Sequence, residues 1–240
     1  MINKILNFFL FFIVLANNEV VAQDFAECRQ FFANGNIPVI QHQHELKTRA
    51  LCFSSFAVLH SGRSKTPVYV AQRLNKETLF DAKGTQRTNR FFADARLPRS
   101  ERAELEDYYG SGFDRGHMAP AGDMATEEGM AQSFSLANMV PQAPVNNRHA
   151  WANIEKATRK YVMRAQGYVY VITGPVFDVQ PQVLGTGKVW IPKYLFKLVF
   201  DPTTQRSWVH WLENSDDANQ SRPISYEEFV VRTGYNLLSQ

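Results

Sequence analysis

The sequence predicts an α+β fold: a largely antiparallel sheet with packed helices, in a single domain. Three observations lead there. Runs rich in β-formers recur along the chain, at 53–60, 66–72, 168–173, 189–200 and 207–212. Helix-patterned stretches lie between them without the regular βα alternation of a parallel sheet. The 240 residues contain no internal repeat, low-complexity tract or Pro/Gly/Ser-rich linker, so one domain over 23–240 is the simplest division.

The elements follow in order. The run 53–60 is apolar and reads as a strand, and after the turn Ser61-Gly62-Arg63-Ser64 the run 66–72 (TPVYVAQ) reads as a second. Residues 88–98 are irregular, in a region that carries Arg87, Arg90, Arg96 and Arg99. A short helix is expected over 100–108 with Ser100 as its cap. Segment 110–122 is dense in Gly and Pro and reads as loop with short extended pieces. A short helix at 125–132, an extended piece at 134–140 and a helix at 147–164 come next. YVYVIT (168–173) is a clear strand, 189–200 is one or two strands around Pro192, and 207–212 is another. Ser225-Tyr226-Glu227-Glu228 has the form of a capping box, opening a last helix to about Thr233.

Composition bounds the function classes. With 45% hydrophobic and 20% charged residues the chain has material for a core and is not of disordered type. Lys and Arg total 26 against 23 Asp and Glu, a formal +3 that permits an acidic partner without demanding one. Residues 1–22 have the form of a signal peptide: Lys4 near the start, an apolar run over 8–16, and Val20-Val21-Ala22 before Gln23. That implies a periplasmic or secreted protein with no stable membrane association after cleavage; a retained N-terminal anchor is the competing reading. No later segment has the roughly 18 consecutive apolar residues of a span. Export allows a disulfide between the two cysteines, Cys28 and Cys52, against the alternative of two buried thiols. Two cysteines make no standard zinc site, and His42-Gln43-His44 reads as a surface cluster.

The densest chemistry is Asp114-Arg115-Gly116-His117. Histidine is the side chain suited to accept a proton near neutral pH, once a partner such as Asp114 or a backbone carbonyl fixes its tautomer. Arg115 offers a planar fork for phosphate, and Gly116 allows close approach. Alone, these four residues fit a turn with an incidental histidine equally well. Some thirty residues on, Asn147, Trp151, Glu155 and Arg159 recur every four positions, so they stack on one side of a helix. Trp151 can pack while the amide, carboxylate and guanidinium face a polar cleft. An ordinary solvated Glu–Arg pair is the bland alternative. Asn138, in Asn138-Met139-Val140-Pro141-Gln142, is a third candidate. His60 and His210 read as strand residues and His149 as near the site but not catalytic, while Trp190, Trp208 and Trp211 read as packing.

Taken together and in this order, Asp-Arg-Gly-His, Asn-x-x-Pro-Gln and Asn-x-x-x-Trp-x-x-x-Glu-x-x-x-Arg resemble the DNA/RNA non-specific endonucleases of the endonuclease G kind. The likeness runs from about residue 53 to 234, and the segment from Arg90 to Leu97 resembles the family's upstream arginine segment. It implies a ββα-metal (His-Me finger) nuclease core and Mg²⁺ as cofactor, with Mn²⁺ able to substitute. His117 would be the general base. Asn147 would be the direct metal ligand, in keeping with the reluctance of Mg²⁺ to shed water. Glu155 would hold metal-bound water. Arg115, Arg159 and Arg90 would contact phosphate, Asn138 would position the site, and Asp114 would be structural or orienting. DNA and RNA are the implied substrates, cut without base specificity because phosphate and sugar contacts carry no base information, and leaving 5′-phosphates. A homodimer is compatible with this reading. Two alternatives remain: a non-catalytic nucleic-acid binder on the same fold, and an exported metal-dependent phosphodiesterase for small substrates.

Overall fold

The computed structural model describes residues 25–40 and 43–238; the expected signal peptide and His42 lie outside them. Ten strands occur among the described residues: β1 (Thr48–Cys52), β2 (Ala57–Ser61), β3 (Thr66–Leu74), β4 (Asp114–His117), β5 (Met139–Gln142), β6 (Val169–Val176), β7 (Val183–Leu184), β8 (Val189–Trp190), β9 (Tyr194–Asp201) and β10 (Arg206–Glu213). The α-helices are α1 (Gln43–Leu46), α2 (Lys76–Asp81), α3 (Leu105–Tyr108), α4 (Glu127–Ser133), α5 (Ala152–Val162) and α6 (Tyr226–Thr233). Six strands form one sheet in the order β1-β2-β3-β6-β9-β10, every pair antiparallel. The expected α+β class with an antiparallel sheet is what the chain adopts.

Strand alternation divides the core into two layers. Val58, Val70, Leu195 and Leu212 face one side, where they meet Met118, Val140, Trp151 and Ile154. Ala57, Leu59, Ala71, Phe196, Leu198 and Val209 face the other, against Phe25 and Phe32 of the N-terminal segment and Phe229 of α6. A disulfide joins Cys28 to Cys52, with Cα atoms 5.6 Å apart, and ties that segment to β1. The first side carries the β4–β5 pair and α5, and α5 is fixed further along by Val162 against Leu74, Leu79, Val171 and Val199.

Local departures from the sequence reading have local causes. The apolar run 53–60 is not one strand but the turn and second arm of a hairpin, whose first arm, β1, the pattern did not announce. Phe53 N–H donates to Phe56 O at 3.0 Å and the two rings stack at 4.4 Å, so this turn is apolar because it packs inward. The helix expected over 100–108 reduces to α3, capped by Glu104 rather than Ser100, after a 3-10 turn at Arg99–Glu101. Asp107 Oδ1 accepts from the Gly187 N–H at 2.6 Å, which ties α3 to the β7–β8 hairpin. The extended piece at 134–140 begins with a 3-10 turn, Leu136–Asn138. The long helix opens as a π-helical stretch, Asn146–Trp151, that runs into α5. The last helix is α6, with Ser225 Oγ accepting from the Glu228 N–H at 3.1 Å.

Candidate active site

The three sequence motifs form one ββα unit. β4 pairs antiparallel with β5, Asp114 opposite Gln142 and His117 opposite Met139, and the π-helical stretch and α5 follow directly. Gly116 suits this pairing: a Cβ there would lie 2.6 Å from Gln142 Cβ, which the side chain of Gln142 cannot relieve by rotating. Gln142 Nε2 donates to Asn146 Oδ1 at 2.8 Å, and Asn146 Nδ2 donates to Glu213 O at 2.6 Å. This chain of amides fixes where the helix leaves the strand pair and anchors both to β10.

His117 closes β4 and is 9% exposed. Its ring is clasped by two aromatics: Phe134 edge-on with centroids 5.0 Å apart and Phe91 tilted at 5.8 Å. Nε2 is buried and has no hydrogen-bond partner among the described residues. Burial, reinforced by the Arg87 charge, pushes the imidazole down to about 3, so it is neutral across the physiological range. Asp114 does not orient His117, one of the options the sequence allowed. It accepts from Asn147 Nδ2 at 2.9 Å and is gripped by Arg148 at 2.6 and 2.9 Å.

An open cleft of about 770 Å³ runs over this unit, lined among others by Arg87, Arg115, His117, Asn147, Glu155 and Arg159. Asn147, Glu155 and Arg159 all face it, while Trp151 between them is fully buried, as the four-residue spacing predicted. Arg115 lies over the Phe91 ring at 4.1 Å, and Arg159 Nη1 donates to Asp123 Oδ1 at 2.9 Å. Burial pushes the Glu155 carboxyl up to about 7, against the pull of Lys197. Lys197 is a buried cation beneath the site. Its Nζ donates to Thr173 Oγ1 at 2.7 Å and lies 5.3 Å from the centre of the Trp151 ring.

Two expected site residues lie elsewhere. Asn138 is fully buried and does not line the cleft. Its Nδ2 donates to Ala119 O at 2.9 Å and Ser133 O at 2.8 Å, and its Oδ1 accepts from Ala119 N at 2.9 Å. Both its N–H groups and its oxygen bond backbone, so Asn138 is a clamp on the loop after His117. Arg90 is exposed and outside the cleft wall; Arg87, three residues earlier, takes the inward place over the Phe134 ring at 5.0 Å. Asp123 and Lys197 carry no local sequence signal, because their partners come from distant segments.

The residues suit a hard divalent cation. Asn147 spends its amide N–H on Asp114, which leaves Oδ1 as an oxygen donor, and Glu155 adds a carboxylate in the same cleft. No group of three or more His, Cys, Asp or Glu that could hold a metal occurs among the described residues. So sparse an oxygen set fits Mg²⁺, which keeps most of its waters, better than zinc.

The fold and site together are those of a ββα-metal nuclease. The family model for DNA/RNA non-specific endonuclease matches residues 35–240. Nuclease C1 of Cunninghamella echinulata var. echinulata is 35% identical over 169 residues, 65% of this chain and 66% of that one. Mitochondrial endonuclease G of Homo sapiens is 34% identical over 166 residues, 65% of this chain and 54% of its own. A nuclease of Nostoc sp. is 31% identical over 202 residues, 78% of this chain and 72% of that one. The chain thus spans from about half to nearly three quarters of these relatives' lengths. A chain of the EndoG/EndoGI complex crystal structure superposes with a TM-score of 0.74 at 22% identity, covering 88% of this chain and 90% of that one. The protein belongs to the DNA/RNA non-specific endonuclease family.

Proposed function

We propose that the protein is an exported, Mg²⁺-dependent endonuclease that hydrolyses phosphodiester bonds of DNA and RNA without base specificity, leaving 5′-phosphates. The observation that carries this is the meeting of His117, Asn147 and three arginines in one cleft. Arg87, Arg115 and Arg159 receive the phosphate and offset the charge that would repel an incoming oxygen. Asn147 Oδ1 would hold the cation directly and the Glu155 carboxylate would hold it through bound water. Bound there, Mg²⁺ supplies Lewis-acid stabilisation of charge growing on the phosphoryl and leaving oxygens.

His117 takes the proton of the attacking water. With Nε2 sealed inside the protein, Nδ1 is the nitrogen that water in the cleft can reach. A neutral imidazole carrying its proton on Nε2 presents a lone pair there. Its low proton affinity in the free protein rises when a phosphate anion sits alongside, because a nearby negative charge favours the imidazolium. Phe91 and Phe134 hold the ring in place and exclude competing water. Export is supported by the Cys28–Cys52 disulfide, which belongs to an oxidising compartment.

The test is cleavage of plasmid DNA and of RNA by the purified protein with Mg²⁺, with EDTA as a control and with the new ends typed as 5′-phosphate or 5′-hydroxyl. His117→Ala should lower kcat by about 10²–10⁴-fold with the fold intact. Full activity in that variant overturns the assignment of the base.

A further inference from the structure

We infer that a second groove, which shares Arg159 with the active-site cleft and is rimmed by lysine and arginine, is a track for the backbone of the nucleic-acid strand beyond the cut phosphate. This rests on the proposed function and extends it to a surface to which the sequence motifs contribute Arg159 alone among their named residues.

The groove has a volume of about 460 Å³ and is lined by Leu79, Lys83, Gly122, Lys156, Arg159, Lys160, Met163 and Arg164. Gly122 and Arg159 line the active-site cleft as well, so the two share a wall. Five of the eight lining residues are cations and none is an acid, although Glu77 and Asp81 lie on the same helix, α2, as Leu79. Lys83, Lys156, Lys160 and Arg164 are exposed. None of these four forms an ion pair among the described residues, whereas Arg159 is tied to Asp123.

The spacing is informative. Lys156, Lys160 and Arg164 recur every four residues, which stacks like charges along one stripe of α5 and the turn after it. Like charges at that spacing repel by a few tenths of a kcal/mol per pair. A solvated face normally relieves this with interspersed acids, and this stripe has none. The stripe is about 12 Å long at 1.5 Å per residue. One strand of B-DNA carries a phosphate every 3.4 Å of helix axis, so a stripe of this length spans roughly three where it runs parallel to that axis. Leu79 and Met163 give the groove an apolar floor that can take sugar edges. A polyanion entering from the cleft past Arg159 meets these charges next.

The test compares wild type with the triple variant Lys156→Ala/Lys160→Ala/Arg164→Ala on a long duplex and on a trinucleotide. kcat/KM is followed between about 50 and 300 mM salt. The slope of log kcat/KM against log salt on the long duplex should flatten by about 0.9 for each phosphate contact removed. Activity on the trinucleotide, which leaves at most one phosphate beyond the cut, should stay within about twofold, and the swap Lys156→Arg/Lys160→Arg/Arg164→Lys should restore the wild-type slope. An unchanged slope overturns the inference, as does an equal loss on both substrates. If the wild type cuts neither substrate, the proposed function fails instead. Duplex binding without metal, read by fluorescence anisotropy, then decides the groove separately through the same change of slope.

Discussion

Asp114 accepts a hydrogen bond from Asn147 Nδ2 at 2.9 Å, although 33 residues separate them in the chain. The contact fixes which end of the Asn147 amide faces the cleft. Without it the amide could flip, presenting N–H where a cation needs oxygen. Arg148 Nε and Nη2 hold the same carboxylate from the next residue, so the acid is itself locked. Partners that orient a metal ligand are typically worth 10–100-fold in metal affinity. Asp114→Ala should therefore raise the Mg²⁺ concentration for half-maximal rate by about that factor, while kcat at saturating Mg²⁺ falls much less. A metal titration of the rate shows which. A kcat loss with no shift in the Mg²⁺ requirement would assign Asp114 some other role.

Asn138 should behave as a structural residue. Asn138→Ala strands the Ala119 N–H, the Ala119 carbonyl and the Ser133 carbonyl in a fully buried site. Each stranded group costs about 1–3 kcal/mol, so a total loss of roughly 3 kcal/mol or more is expected. The urea midpoint should drop with an unchanged m-value. At temperatures where the variant is still folded, kcat should stay near wild type; a large kcat loss in a folded variant would return Asn138 to the catalytic set.

The two upstream arginines should separate cleanly. Arg87 lines the cleft over Phe134 and Arg90 does not line it. Charged hydrogen bonds to phosphate contribute about 1.5–3 kcal/mol. Arg87→Ala should thus lower kcat/KM by roughly ten- to a hundredfold, and Arg90→Ala by no more than about twofold. Steady-state kinetics of the two variants on one DNA substrate make the comparison, and the reverse ranking would mean that this segment rearranges when substrate binds.

These arginines also mark where sequence stops being legible. Elements set by local signals read out well: β6 by a run of β-formers, α6 by Ser225 and its partner three residues on, the Asn147–Glu155–Arg159 stripe by helical spacing. Between 88 and 98 no period exists, so nothing in the sequence said which arginine turns inward. The Phe53–Phe56 turn looked like strand because its apolar residues serve the core rather than a ladder. Asn138 and Lys197 were opaque for a related reason. Their partners, Ala119 and Ser133 for one and Thr173 for the other, are brought by tertiary packing that a motif does not encode.

A buried histidine away from the site should make stability fall in mild acid. His60 is fully buried in β2, and its ring bonds the Glu101 carbonyl through Nε2 at 2.9 Å. Since a carbonyl only accepts, Nε2 carries the proton. Nδ1 is then a lone pair with no partner among the described residues. Burial pushes the imidazole from the ordinary 6.5 down to about 4, outweighing the upward pull of the Glu101 carbonyl and of the Asp94 and Glu101 charges. Between those two values the unfolded chain holds a proton that the folded chain refuses, so stability rises with pH across the window. The contribution is whole above 6.5, declines as pH falls, and is gone once pH drops through about 4. At 1.36 kcal/mol per pKa unit the full swing is roughly 3 kcal/mol from this one group. His210 is also pushed down to about 4 by burial and adds a parallel loss. His60→Gln keeps a donor for the Glu101 carbonyl but cannot titrate. Its urea midpoint at neutral pH should lie below that of wild type, through imperfect packing, yet decline less steeply as the pH is lowered toward 5. Parallel pH profiles for the two proteins would show that acid lability arises elsewhere.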